Sequence, residues 1–299
     1  MLLLLGCPAG SASDDAAAST TGGSGSPHDD GDESGTGTGG GEPGVLVGSF
    51  QLQLNEPKAA SGEQPATPGT TTLFGKLYDG PTPQTLVWET GTELGACRLL
   101  TPRVPFCSTP CGGSAACVED ETCQDYPAAV SAGEVTVSGV ATTGGETSFA
   151  MTPIANNYQP PAGTTLAYPA FAEGDEITLA AAGDMLAGFE LQASGVAQLE
   201  LDADELTLDP AVDVQLGWTP AGAGDSTIAV KLDISHHGGT KGMIECETED
   251  TGSLAIPAAL VSELLDLGVA GYPTIIVTRA STGSTTTAAG RVDLVVSSQ

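Results

Sequence analysis

Short runs in which apolar and polar residues alternate constrain this chain more than any other feature of its sequence. Phe50, Leu52 and Leu54 alternate with glutamines, and Thr85 to Glu89 is a further short β-prone run around Trp88. The alternation recurs in four later runs, at Val135 and Val137, at Val212, Val214, Leu216 and Trp218, at Ile228, Val230, Leu232 and Ile234, and at Val292, Leu294 and Val296. Successive side chains of a strand point to opposite faces, so this period predicts half-buried antiparallel strands.

Gly, Pro, Asp and Thr separate these runs, and no alternation of strands with helices indicates a parallel sheet. The sequence therefore predicts an all-β protein built as an antiparallel β-sandwich of the Greek-key type. One short helix is expected. Pro257 suits its first position, Gly268 suits its end, and four apolar residues share one face: Leu260, Val261, Leu264 and Leu265.

A change in composition divides the chain. Between Pro8 and Gly44 there is no Val, Ile, Leu, Met or aromatic residue, which predicts a disordered linker reaching on the order of 35 Å. The expected units are a lipoprotein signal remnant at 1–7, this linker at 8–44, a small β domain at 45–106, a cysteine-rich knot at 107–125 and a β-sandwich domain at 133–299. The alternative in which the two β regions share one core stays open.

The first residues, ending in Leu4-Leu5-Gly6-Cys7, have the pattern of a bacterial lipobox. We expect Cys7 to carry the lipid of an exported lipoprotein at the outer membrane or cell surface. The apolar run is shorter than the 7–15 residues of a usual secretory segment and no Lys or Arg precedes it, so the true start is expected upstream. A chance leucine run is the alternative.

The chain is strongly acidic, with 38 acidic residues against 8 basic ones and a formal net charge of -30. Such a polyanion is repelled by nucleic acid and by anionic membrane surfaces. We therefore exclude nucleic acid as a partner and expect membrane contact only through the lipid.

Six further cysteines follow Cys7, and four of them form Cys-x3-Cys-x5-Cys-x5-Cys in a segment too short to build its own core. This pattern predicts disulfides and an oxidising compartment, with a zinc site as the alternative. Six cysteines allow 15 connectivities. By analogy with other small knots we favour Cys107–Cys117 and Cys111–Cys123, which leaves Cys97–Cys246 as a clamp between the two β regions. The rival pairing joins Cys97 to Cys107 across a turn at Pro102.

Two patterns suggest metal ligands. His236 and His237, with Glu245 or Glu247, could hold a metal, but the glycines that follow favour a polar hairpin connection. Three acidic clusters could bind calcium, namely Glu119 to Glu121, Asp202 to Glu205 and Glu247 to Asp250. None has the spacing of an EF-hand, and solvated surface is the favoured interpretation. No catalytic residue is predicted, since no Gly-x-Ser-x-Gly nucleophile elbow occurs. No cofactor is predicted either.

One family resemblance spans roughly residues 45–299. It rests on Trp88, Cys97-Arg98-Leu99-Leu100-Thr101-Pro102, Phe106-Cys107, Pro110-Cys111-Gly112-Gly113, Cys117, Cys123, Tyr126-Pro127, Trp218-Thr219-Pro220 and the stretch from Cys246 to Ile256-Pro257. In this order the chain resembles a group of uncharacterised cysteine-containing lipoproteins of myxobacteria. The resemblance implies an outer-membrane or cell-surface location and a fold class, and no activity.

Together these features predict a lipid-anchored, non-catalytic β module for adhesion or for binding a protein or polysaccharide partner. Two alternatives remain. One is an envelope hydrolase or metal-dependent enzyme that uses the region of His236 and His237, and the other is a structural coat or spacer lipoprotein.

Overall fold

The computed structural model describes residues 44–58, 65–203, 205–222, 226–236, 239–270 and 272–299. Cys7, the predicted linker, Asp204 and His237 lie outside these ranges. In the described part the chain is mostly β, with seventeen strands and one α-helix, as the alternation predicts. No helix within the described ranges is long and apolar enough to cross a membrane.

The strands, in chain order, are β1 (Leu46–Asn55), β2 (Thr70–Leu77), β3 (Val87–Leu94), β4 (Cys97–Arg103), β5 (Ala115–Glu119), β6 (Thr122–Asp125), β7 (Val135–Ser138), β8 (Ser148–Met151), β9 (Asn157–Tyr158), β10 (Glu176–Ala181), β11 (Phe189–Ser194), β12 (Val214–Gly217), β13 (Thr227–His236), β14 (Met243–Glu249), β15 (Ser253–Ile256), β16 (Tyr272–Thr286) and β17 (Arg291–Ser298). The helix α1 spans Ala258–Asp266 and lies between β15 and β16.

Nine strands form one sheet in the order β3-β4-β14-β13-β16-β17-β1-β2-β9. A second sheet has four strands in the order β11-β10-β7-β8, and two-stranded sheets are formed by β12 with β15 and by β5 with β6. The large sheet combines strands from the expected 45–106 and 133–299 regions. The boundary predicted between these regions therefore does not separate two sheets.

One neighbouring pair departs from the predicted antiparallel pattern. Strands β1 and β17 run parallel, with Phe50 opposite Leu294 and Leu52 opposite Val296. Alternation reports which face of a sheet a residue occupies and carries no information on the direction of the neighbouring strand. The prediction of exclusively antiparallel strands was wrong at this pair.

Two apolar clusters cover the large sheet. In the first, Phe50, Leu294 and other residues of β1, β2 and β17 pack against β7, β10 and β11 of the four-stranded sheet, for example at Val137 and Leu179. The two sheets come very close at Gly283 of β16, where an added Cβ would overlap the carbonyl oxygen of Gln192 in β11. Only glycine allows the two backbones to come this close.

In the second cluster, β4, β13, β14 and β16 pack against β12, β15 and α1. The helix contributes Leu260, Val261 and Leu264, which are fully buried. Its start differs by one residue from the prediction, because Pro257 is the N-cap, with a φ of -60° and a ψ of 136°. Gly268, with a φ of +86°, lies just beyond its end as predicted.

Two predicted strand positions also shift. Val212 is 57% exposed and precedes β12, which begins at Val214. The run expected over Thr85 to Glu89 contributes only its end to β3, which begins at Val87.

Candidate functional site

The histidine region forms the connection between two antiparallel neighbours, β13 and β14. His236 ends β13, while Glu245 of β14 lies opposite Lys231 and accepts a hydrogen bond of 3.0 Å from Arg98. Position 236 is five residues beyond position 231, which is about 16 Å along a strand. Glu247 lies opposite Ala229, farther still from His236. The backbone register therefore places position 236 well along the strand from Glu245 and Glu247.

All six cysteines of the described part form disulfides, and their pairing is the one favoured from the sequence. Cys107 bonds Cys117 and Cys111 bonds Cys123, with Cα–Cα distances of 6.0 and 5.5 Å. These two bonds join the segment that precedes β5 to both strands of the β5–β6 hairpin. The rival pairing of Cys97 with Cys107 does not occur.

The third disulfide joins Cys97 of β4 to Cys246 of β14, where the two residues lie directly opposite each other. Both are only 3% exposed. Cys246 shares the buried face with Ile244, as strand parity predicts. The bond therefore links the first β region covalently to the last third of the chain.

Three sulfur atoms, those of Cys107, Cys111 and Cys123, lie within 4.8 Å of one another. A zinc site binds cysteine as thiolate, whereas each of these sulfurs is already bonded to a second sulfur. In this oxidised form the three sulfur atoms belong to two disulfide bonds and do not act as thiolate ligands.

Two residues of the acidic cluster at the tip of the β5–β6 hairpin accept hydrogen bonds from the segment that precedes β5. Asp120 accepts hydrogen bonds from Arg103 at 3.1 Å and from the backbone N–H of Phe106 at 3.0 Å. Glu121 accepts from the backbone N–H of Ser108 at 3.2 Å and from its hydroxyl at 2.8 Å. These carboxylates are committed to local contacts.

Asp250, in the last predicted calcium cluster, belongs to a buried ion pair with Arg279. Their side chains are only 5% and 1% exposed. Arg279 donates to Asp250 through Nε at 2.6 Å and Nη2 at 3.1 Å, and its other N–H groups reach the backbone carbonyls of Ala197, Gln198 and Thr219. Trp218 Nε1 and Ser226 Oγ also donate to Asp250, at 2.7 and 2.8 Å. Sequence reasoning missed this pair.

Burial of Asp250 works to raise the pKa of its carboxyl group. The hydrogen bonds from Arg279, Trp218 and Ser226, together with the positive charge of Arg279, outweigh burial and hold the pKa below its usual value. Asp250 is therefore an ionised structural residue whose oxygens are occupied within the fold.

A second link, between two half-buried side chains, joins Tyr168 to Glu56. Tyr168 donates to Glu56 at 3.2 Å, and Ser298 donates to the other oxygen of the same carboxylate at 2.9 Å. Burial, then the charge of Glu56 and this hydrogen bond, raise the pKa of Tyr168 to about 12. Tyr168 therefore stays protonated at neutral pH and holds the 56–58 segment to the sheet.

A shallow pocket of about 460 Å³ lies beside the four-stranded sheet. Small apolar residues such as Ala141 and Ala170 line it, together with Phe171, Asp175 and Glu176. Asp175 accepts a hydrogen bond of 2.7 Å from the backbone N–H of Ala172, which fixes the loop. Thr147, which carries a hydroxyl group, lines the same pocket.

Another candidate surface is the face of β2, β1, β17 and β16 that points away from the core. It presents hydroxyl and amide side chains around Phe74, which is 44% exposed. The sequence contains its alternating residues, but their assembly into one surface depends on strand neighbours far apart in the chain. We name it the outer face.

The sequence matches no protein-family model, and it matches no curated protein.

The carboxylate contacts lead to a prediction on calcium. Asp120 and Glu121 are engaged in local surface contacts and Asp250 in a buried ion pair. Calcium up to about 1 mM in 0.15 M NaCl should therefore leave the melting temperature of the Cys7→Ser chain unchanged. Sodium chloride alone should raise it smoothly, because screening relieves repulsion within a chain of charge -30. Scanning calorimetry with magnesium as the matched control measures both effects. A rise specific to calcium would contradict this expectation.

Proposed function

We propose that this chain is an exported lipoprotein, held at the outer membrane or cell surface through Cys7, and that its β region binds a partner without catalysis. The observation that carries the proposal is the pairing of all six cysteines in the described part. Disulfides form and persist in oxidising compartments and are rare in the cytosol. The lipobox pattern at Cys7 adds the anchor, and the resemblance to myxobacterial lipoproteins favours the same location.

Hydrogen bonds within the fold occupy the titratable groups of both links, and this supports binding over catalysis. A catalytic acid or base needs a proton position that a substrate can reach. Arg279 donates hydrogen bonds to Asp250 and to the backbone carbonyl of Thr219, and Tyr168 donates one to Glu56. These groups therefore hold parts of the fold together, which is a structural role.

The proposal includes the finer description of the fold as a Greek-key β-sandwich with a disulfide-stapled knot. A core shared by two sheets favours the sandwich. In the four-stranded sheet β10 returns to lie beside β7, so the chain is not a simple meander of consecutive strands, as a Greek-key fold also requires. The paired bonds of Cys107 and Cys111 favour the stapled knot.

Lipidation at Cys7 is the direct test of location. With the gene expressed from its full upstream reading frame, wild-type protein should incorporate a palmitate analogue and partition with membranes. Cys7→Ser should lose the label and move to the soluble fraction, because one thiol accepts the lipid. Ser11→Ala, four residues downstream, is the matched control and should behave as wild type. Retained label in Cys7→Ser would refute the lipoprotein assignment.

A further inference from the structure

Four neighbouring strands define the outer face. Leu294 of β17 lies opposite Phe50 of β1 and Gly283 of β16, and these positions face the core. The intervening positions point the other way. They are Thr70, Thr72, Phe74 and Lys76 on β2, Ser49, Gln51, Gln53 and Asn55 on β1, Arg291, Asp293, Val295 and Ser297 on β17, and Ala280, Thr282, Ser284 and Thr286 on β16.

This face reaches solvent. Thr70, Thr72 and Phe74 are exposed along β2, and Thr282 and Thr286 are exposed along β16. The register places Phe74 beside Gln51, followed by Val295 and Thr282, so the aromatic ring begins a row that crosses all four strands. One flanking row consists of Thr72, Gln53, Ser297 and Ala280, and the other of Lys76, Ser49, Asp293 and Ser284. On β17, Asp293 and Ser297 are buried.

The charge of the outer face differs from that of the chain. Its sixteen positions hold two basic residues, Lys76 and Arg291, and one acidic residue, Asp293, in a chain of net charge -30. Asp293 is buried and bound by Arg291 at 3.0 Å and by Ser284 at 2.8 Å. Among these positions, then, the surface is polar and nearly neutral.

Hydrogen bonds order the polar groups before any ligand arrives. Gln51 donates to Ser49 at 3.1 Å, and Asn55 donates across the strand pair to Thr72 at 3.4 Å. Ordered side chains reduce the conformational entropy lost on binding. The amide and hydroxyl groups beside Phe74 are accordingly prearranged in rows along the strands.

The dimensions of the face distinguish between occupants. Four strands at a spacing of about 4.8 Å and eight residues at about 3.3 Å each give an area of roughly 400–500 Å². A stable protein–protein interface buries about 800 Å² on each partner, so a second copy of this chain would have to extend beyond these four strands onto β13 and β14. An extended chain of several sugar units fits a strip about 25 Å long.

We infer that the outer face binds an extended, uncharged polysaccharide, with Phe74 against the apolar face of a sugar ring and the flanking amides and hydroxyls on its hydroxyl groups. The inference rests on the proposed function as a binding module and names its ligand class. Aromatic rings pack on apolar C–H surface, and neutral hydroxyls match neutral amides. An anionic polysaccharide would be repelled by the net charge of -30.

The test is affinity electrophoresis of the Cys7→Ser chain through gels containing α-glucan, β-glucan, mannan, galactan or xylan, with alginate as the anionic comparison. At least one neutral polysaccharide should retard the protein, and alginate should not. Phe74→Ala should weaken that retardation about tenfold, the effect of losing roughly 1.4 kcal/mol of aromatic contact. Phe106→Ala is the matched control, because Phe106 is 69% exposed and lies outside the face.

Each other outcome overturns the inference. It fails if none of the five neutral polysaccharides retards the protein, or if Phe106→Ala weakens binding and Phe74→Ala does not. A concentration-dependent dimer in sedimentation that is lost in Phe74→Glu would assign the face to a second copy. Melting temperatures of all variants should match wild type, since both rings are exposed. The location proposal fails separately, through lipid labelling at Cys7.

Discussion

Replacing Arg279 by methionine should lower the free energy of unfolding by about 3–5 kcal/mol, the usual cost of leaving a buried charge without its partner. The carboxylate of Asp250, 5% exposed, would lose its countercharge. The carbonyls of Ala197, Gln198 and Thr219 would lose the donors that hold two irregular segments to β16. Urea unfolding of the full chain measures this difference.

Two variants make the result interpretable. Arg103→Met is the matched control, since its ion pairs with Glu89 and Asp120 are exposed and should contribute no more than about 1 kcal/mol. The double variant Arg279→Met with Asp250→Leu removes both buried charges and should recover part of the loss. If Arg279→Met cost no more than Arg103→Met, the ion pair would not be a main support of the fold.

The same pair gives stability a defined dependence on pH. The pKa of Asp250 is lowered in the folded protein, so its carboxylate stabilises the fold above the unfolded value near 3.9. That contribution is lost as pH falls below about 4 and through the lowered folded pKa. Wild-type protein should therefore lose stability in this range more steeply than the double variant does.

Removing the disulfide between Cys97 and Cys246 should cost about 5 kcal/mol in the chain-entropy description. The bond closes a loop with a sequence separation of 149, and a longer loop removes more freedom from the unfolded chain. The Cys97→Ala and Cys246→Ala double variant should keep its native sheet, because β4 and β14 stay hydrogen-bonded. Its urea m-value should rise as the unfolded chain expands.

The hairpin bond between Cys111 and Cys123 supplies the comparison. Its sequence separation is 12, so the same description assigns about 3 kcal/mol to its removal, confined to the β5–β6 hairpin. Unfolding of both double alanine variants without reductant tests the order. A smaller loss for Cys97 and Cys246 than for the hairpin pair would show that the long clamp adds little.

Some features were predictable because they depend on local periodicity. The alternation marked β1, β7, β13 and β17, and parity placed Cys246 on the buried face with Ile244. No strand was predicted anywhere in β16, and from Ser281 onward its Ser, Thr and Gly residues resemble a loop. Packing overrides that composition, since β16 lies between β13 and β17 inside the sheet.

The sequence by itself determined that the chain is mostly β, which residues of its clearest strands face the core, and that its cysteines suit an oxidising compartment. These properties follow from a period of two and from a count of thiols. Only the tertiary structure decided the parallel pairing of β1 with β17, the union of Arg279 with Asp250, and the rows of the outer face. Each of these three features joins residues that lie far apart in the sequence. No local pattern specifies such neighbours, because burial of the shared core selects them.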